Sequence, residues 1–314
     1  MQIVDLPDAL LHACIDYFDH SSLHSTELTC KRFCALLCRQ NLWQIVAKKS
    51  LCYDEKYASL HKTPSSFVKQ LVCMSNRTSL ATENLLKEVF SCSSVDHLNE
   101  SPSHTLTPSY CWTELRARSQ FFQSMNDPQL VFAIAEKIQA ECGCANGIPC
   151  YWSSSPSLLR DIDDWILYTI RAPCLIQRIE IVPYRVFWYP MKPTYAPRQV
   201  SFSFFVRKLN EPIHDTVKTF GINAHILYES PLYDVANDMT LQAFQLPKPV
   251  FMEPANSFLR INFFGRSQRL GGNAQDNELL NAEMNQFMND AAIDINYYVC
   301  LTYVGACGVE KPLS

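Results

Sequence analysis

The sequence predicts a chain of mixed class: a small three-helix module, a helical linker region, and a C-terminal antiparallel β-sandwich. Three observations carry this. Apolar residues in the first fifty positions recur at helical spacing. A Ser/Thr/Pro-rich stretch, residues 91–108, interrupts the helical pattern that follows. From Pro149 onward, runs rich in aromatic and β-branched residues alternate with polar ones. The divisions are 1–50, 51–148 and 149–314.

At 314 residues, with 47% hydrophobic and 18% charged, the chain can bury a core without disulfide staples. A formal net charge of −4 makes no electrostatic case for nucleic acid. No apolar run approaches the roughly 20 residues of a membrane helix, so no membrane partner is expected. Asp5, Asp8, Asp16 and Asp19 are wrong for a signal peptide. The 14 cysteines therefore read as free thiols, several of them small buried hydrophobes, in a cytoplasmic or nuclear protein.

In the first module, Asp5 and Pro7 suit a helix start, and Leu10, Cys14 and Phe18 follow at i, i+4, i+8. Ser21-Ser22 caps a second helix containing Leu23 and Leu28, a third runs from about Lys31 through Phe33 to Leu37, and Asn41-Leu42-Trp43 starts another turn. Three short helices cannot bury this many apolar side chains alone, so the module reads as a docking device. Leu6-Pro7-x-x-Leu10-Leu11-x-x-x-Ile15-x-x-Phe18, Leu23, Cys30-Lys31-Arg32-Phe33 and Leu42-Trp43 resemble an F-box in order and spacing. That resemblance implies docking on a Skp1-type adaptor and, through it, membership of a cullin-RING ubiquitin ligase. It divides Leu6, Pro7, Leu10, Leu11, Ile15, Leu28, Phe33, Leu42 and Trp43 between the module's own core and the Skp1 interface.

Residues from Tyr53 to Met74 read as helix with Phe67, Leu71 and Val72 on one face, and Glu83 to Cys92 as another. Asp127-Pro128 opens a helix through Leu130, Ile134 and Ile138 that ends near Gly143. Strands are read at Trp165–Ile170, Cys174–Val182, Val200–Val206, Leu259–Phe263 and Tyr297–Val304. Their separations exceed hairpin turns, which points to a sandwich with crossing connections. Gly271 to Asp294 is acidic, lacks Lys and Arg, and reads as a mobile loop with a short helix around Leu279 to Met288.

The order of these strands, with Ile181-Val-Pro-Tyr184, Pro193-x-Tyr195, Leu241 to Pro249 and Leu259 to Arg266, resembles a plant-type family of F-box proteins. Its members end in a galactose-binding-like, discoidin-type jelly roll. The likeness covers most of 1–60 and 149–308. It implies a substrate-recognition adaptor of an SCF-type ligase whose sandwich recruits a target protein. Two other classes stay open: a lectin-like or small-ligand module, and an interaction scaffold outside any ligase.

No catalytic residue is expected. His214-Asp215 is not a dyad, because neighbours on a strand point to opposite faces. Under the resemblance, partner enzymes perform ubiquitin transfer and this chain supplies proximity. Phe187, Trp188 and Tyr189, with Arg185 and Tyr195, make a Pro-bounded aromatic group suited to recognition; plugging the end of the sandwich is the equal alternative. Cys142-Gly-Cys144 with Cys150 offers three of zinc's four ligands at poor spacing, and structural thiols are the better reading. Asp161, Asp163 and Asp164 offer hard oxygen ligands for calcium, but one acidic triplet reads better as a solvated loop. No metal and no cofactor is expected.

Overall fold

The structure is a computed structural model. It describes residues 7, 10, 13, 14, 17, 18, 20–29, 31, 33–35, 42–53, 65–75, 84–124, 127–186, 193–207, 224–253, 257–267 and 296–310. Among the described residues α1 (His20–Thr29), α2 (Leu42–Ser50) and α3 (Ser65–Ser75) lead. In α2, Trp43, Val46 and Ala47 repeat at i, i+3, i+4 and are buried, while Lys48 and Lys49 occupy the last turn, where cations suit the helix dipole. In α3 the buried face is Val68, Leu71 and Val72. These side chains join Leu23 and Phe33 in one cluster, which also takes in Leu51, Leu175 and Phe251.

Next come β1 (Leu86–Cys92), a 3-10 helix at Pro102–Leu106, α4 (Tyr110–Ala117), α5 (Ser119–Ser124) and α6 (Pro128–Cys142). The last follows its sequence signals closely. Asp127 Oδ1 accepts from the amides of Gln129 and Leu130, at 2.9 and 3.4 Å, and Pro128 takes the first turn. Gly143, with φ of 84°, closes it in the left-handed region.

The remaining strands are β2 (Trp152–Ser153), β3 (Asp164–Ile170), β4 (Cys174–Pro183), β5 (Pro197–Arg207), β6 (Ala224–Glu229), β7 (Tyr233–Asp234), β8 (Gln242–Met252), β9 (Ser257–Arg266) and β10 (Cys300–Glu310). One sheet runs β1-β3-β9-β5-β6, with β7 also on β5; the other runs β2-β10-β4-β8. Every strand pair in both is antiparallel. The chain crosses between the sheets from β3 to β4 to β5, and again from β8 to β9 to β10, which is the jelly-roll habit. Alternate residues point inward: Ile166, Tyr168 and Ile170 from β3, Val200, Phe202, Phe204 and Val206 from β5, and Leu259, Ile261 and Phe263 from β9.

The five strands read from the sequence are present, with β10 starting at Cys300 and Tyr297 making an isolated bridge to Ser157. β8 holds Pro247 and Pro249, which is tolerated because it lies at a sheet edge.

Two readings are corrected. Glu83 to Cys92 is not a helix: Leu86 onward forms β1, paired with β3. Bulges between Leu86 and Glu88 and between Val89 and Ser91 break the two-residue alternation. Within β1 the side chains reaching the core are Leu86, Val89 and Cys92, a spacing of three that imitates a helix, and Leu85 just ahead of the strand joins them. The sandwich therefore draws on the chain from residue 84, ahead of the division placed at 149. Asn84 anchors this entry with all four hydrogen bonds of its amide: it donates to Leu106 O and Val304 O and accepts from the amides of Leu86 and Ala306. The Ser/Thr/Pro-rich stretch is likewise no free linker, since the Thr105 hydroxyl is buried against Tyr168 Oη at 2.8 Å. The acidic segment 271–294 and the helix expected within it lie outside the described residues.

The helices and the sandwich are tied together. Cys52 forms a parallel bridge with Val250; its amide donates to Pro249 O at 2.8 Å, and the Phe251 amide donates to Cys52 O at 2.9 Å. Among the described residues no helix is long and apolar enough to cross a membrane.

Candidate functional site

The helical module sorts its apolar residues into two sets. Phe33 and Trp43 are buried, and Lys69 lies 5.6 Å from the Trp43 ring centroid while pairing with Glu27 of α1. Leu10 and Leu28, by contrast, are 53% and 73% exposed, and Tyr17, Phe18 and Ile45 also face solvent. Pro7 is exposed, in a turn whose carbonyl accepts from the Leu10 amide. Leu42 opens α2, and Leu6, Leu11 and Ile15 lie outside the described residues. Five bulky side chains of one small module are thus left in water among the described residues; exposed apolar area of that kind in general marks interaction sites. Sequence reasoning missed Tyr17 and Ile45, which lie beside the motif positions without belonging to them.

At one end of the sandwich, residues 184–186 and 193–195 form a narrow ladder after β4. The Val186 amide donates to Pro193 O, and the Tyr195 amide to Tyr184 O. Arg185 is half-exposed there; its Nε donates to Thr194 Oγ1 at 3.0 Å and its Nη2 to Asp238 Oδ1 at 2.8 Å. Asp238 was not singled out from the sequence, because 53 residues separate it from Arg185. Tyr195 is fully buried, edge-on to Tyr298 at 5.9 Å, so it anchors the ladder and offers no face to a ligand. Phe187, Trp188 and Tyr189 lie outside the described residues.

Within the acidic triplet, Asp164 and Asp161 are both paired with arginines. Asp164 is buried and fully engaged: Ser93 and Ser94 hydroxyls donate to Oδ1 at 3.0 and 3.3 Å, while Arg266 Nε and Nη2 donate to Oδ2 at 3.1 and 2.9 Å. Arg266 is itself buried, and its Nη1 also donates to the Ser155 and Tyr297 carbonyls. Asp161 pairs with Arg198 at 3.3 Å. The carboxylate that would have held a cation is already neutralised by a guanidinium.

The cysteines behave differently. The structure brings Cys111 to Cys142, Cys144 and Cys150, with all four sulfurs within 4.8 Å of one another. Cys111 sits in the first turn of α4 and Cys142 ends α6. The two helices pack so that the start of one meets the end of the other, as the Tyr110 hydroxyl donating to Glu141 at 3.0 Å records. Gly143 turns the chain so that Cys142 and Cys144 face the same pocket. Hydrogen bonds among the thiols, first to Cys142 and then to Cys144, hold Cys111 in the protonated form, while the Cys111 thiol's donation lowers both Cys142 and Cys144. The fourth ligand that sequence spacing lacked is thus present, 31 residues before Cys142.

The F-box domain family matches residues 3–45. The chain thus carries an F-box domain, joined to an antiparallel jelly-roll sandwich. A curated relative, F-box protein At4g00755 of Arabidopsis thaliana, is 26% identical over 166 residues, which is 50% of this chain and 38% of the relative's length. Two solved structures resemble the fold at low overlap. One is the module CBM32-3 of a family 31 glycoside hydrolase from Clostridium perfringens, with a TM-score of 0.34, 8% identity, and 71% of this chain against 90% of that one. The other is chitosan-binding module 1 of a Paenibacillus chitosanase/glucanase, with a TM-score of 0.32, 8% identity, and coverage of 72% and 99%. Overlap that shallow says nothing about a ligand. An F-box domain implies, in general, an SCF adaptor role.

Proposed function

We propose that this chain is a substrate-recognition adaptor of an SCF-type ubiquitin ligase, docking on a Skp1-type protein through its F-box and recruiting a target protein with its sandwich. The observation that carries the reading is the combination of the F-box match with Leu10 and Leu28 exposed while Trp43 of the same module is buried. The docking half follows from apolar area: covering side chains of this size is worth about 1.5–3 kcal/mol each. The recruiting half rests on geometry. The helices are fastened to the sandwich through Cys52 and the cluster around Leu175 and Phe251, so a target held by the sandwich keeps a fixed orientation to the adaptor. Such a chain contributes effective concentration, and the transfer chemistry belongs to its partners. Cytoplasm or nucleus is the compartment that fits.

Coexpression with a Skp1-type adaptor tests this. The wild-type chain is expected to copurify with it, and Leu10→Asp combined with Leu28→Asp to lose at least tenfold of the captured adaptor while the sandwich stays folded. Equal capture by the double variant would contradict the proposal.

A further inference from the structure

We propose that Cys111, Cys142, Cys144 and Cys150 hold a structural zinc ion in a tetrahedral four-thiolate site. This stands independently of the ligase reading. A tetrahedron with Zn–S bonds of about 2.3 Å has ligand edges of about 3.8 Å. The Cys111 and Cys150 sulfurs are 3.5 Å apart, and no pair among the four exceeds 4.8 Å. None of the four is disulfide-bonded. Cys111 and Cys144 are buried and Cys142 and Cys150 half-buried, so the pocket is closed, as structural sites are. Four soft sulfur ligands with no carboxylate or imidazole among them favour zinc over magnesium or calcium.

A doubly negative four-thiolate site calls for hydrogen-bond donors around it, which orient the thiolate ligands and offset their charge. Cys111 lies in the first turn of α4, where the leading amides have no partner within the helix. The fully buried Tyr184 packs in the same cluster as Cys111 and Cys144. The ion would clamp the α4–α6 pair and the turn after Gly143 to the end of the sandwich. Tyr184 stands there at the root of the ladder that carries Arg185. Binding displaces thiol protons to solvent as each Zn–S bond forms, so affinity falls on acidification.

The test is metal content of the full chain, purified without chelators. Elemental mass spectrometry is expected to find about one zinc per chain. Cys111→Ser and Cys144→Ser are each expected to drop to a tenth of that or less, whereas Cys73→Ser, outside the cluster, keeps it. Where the cluster variants do not accumulate, cobalt(II) exchanged into the wild-type chain gives a second reading. Thiolate-to-cobalt charge transfer in the near ultraviolet, with strong tetrahedral ligand-field bands in the red, is the expected spectrum. Wild-type chain without stoichiometric metal and without that spectrum would overturn the proposal. So would iron in zinc's place, or a disulfide between any two of the four cysteines.

Discussion

Arg266 and Asp164 set the terms for the sandwich at the level of single side chains. A buried ion pair contributes little over a well-packed apolar replacement, but removing one partner strands the other. Arg266→Met is therefore expected to lower stability by about 3–5 kcal/mol, read as a shift in the urea midpoint. Glu100 makes the opposite case. It accepts from the Tyr151 hydroxyl at 3.0 Å through Oε1, while Oε2 is buried with no partner among the described residues. Burial raises its pKa above the ordinary glutamate value of 4.5, offset in part by the Tyr151 hydrogen bond. A raised carboxyl binds its proton more tightly in the folded state, so stability falls as pH climbs through that window, and the full penalty persists above it. Glu100→Gln keeps the acceptor for Tyr151 and removes the charge. Thermal melts are expected to show a gain on the order of 1 kcal/mol at neutral pH. The gain should vanish once pH drops below the ordinary glutamate value.

Among the elements, those with a sustained apolar period were legible, and β1, broken by two bulges within seven residues, was not. Asp127, Pro128 and Gly143 announce α6 from both ends, and the inward Ile166, Tyr168 and Ile170 of β3 keep strict alternation. β1 lost its alternation to two bulges, so Leu86, Val89 and Cys92 mimic a helix face. The aromatic group around Arg185 was legible as a cluster, yet burial of Tyr195 shows how composition alone leaves orientation open. Cys111 went unpaired in the sequence because only the antiparallel packing of α4 on α6 brings it to Cys142. The corrected start of the sandwich has a consequence. A chain beginning at 149 lacks β1 and Asn84, leaving β3 an unpaired edge and Val304 and Ala306 without their caps. It is expected to aggregate, whereas a chain beginning at 84 melts cooperatively. Equal solubility and equal melting temperature would show that β1 is dispensable.

For the whole molecule, the helices and sandwich form one continuous body in which the same residues serve two masters. Leu175 and Phe251 close the outer side of the smaller sheet and complete the helical cluster built on Trp43. Among the described residues the module leaves Leu10, Tyr17, Phe18, Leu28 and Ile45 exposed. The most direct measurement of that division is the mass of the complex formed when the 36.0 kDa chain is coexpressed with a Skp1-type adaptor, read by light scattering on the eluting peak. The account predicts one adaptor per chain, lost with Leu10→Asp and Leu28→Asp. A well-behaved wild-type monomer that elutes free of the adaptor would contradict it.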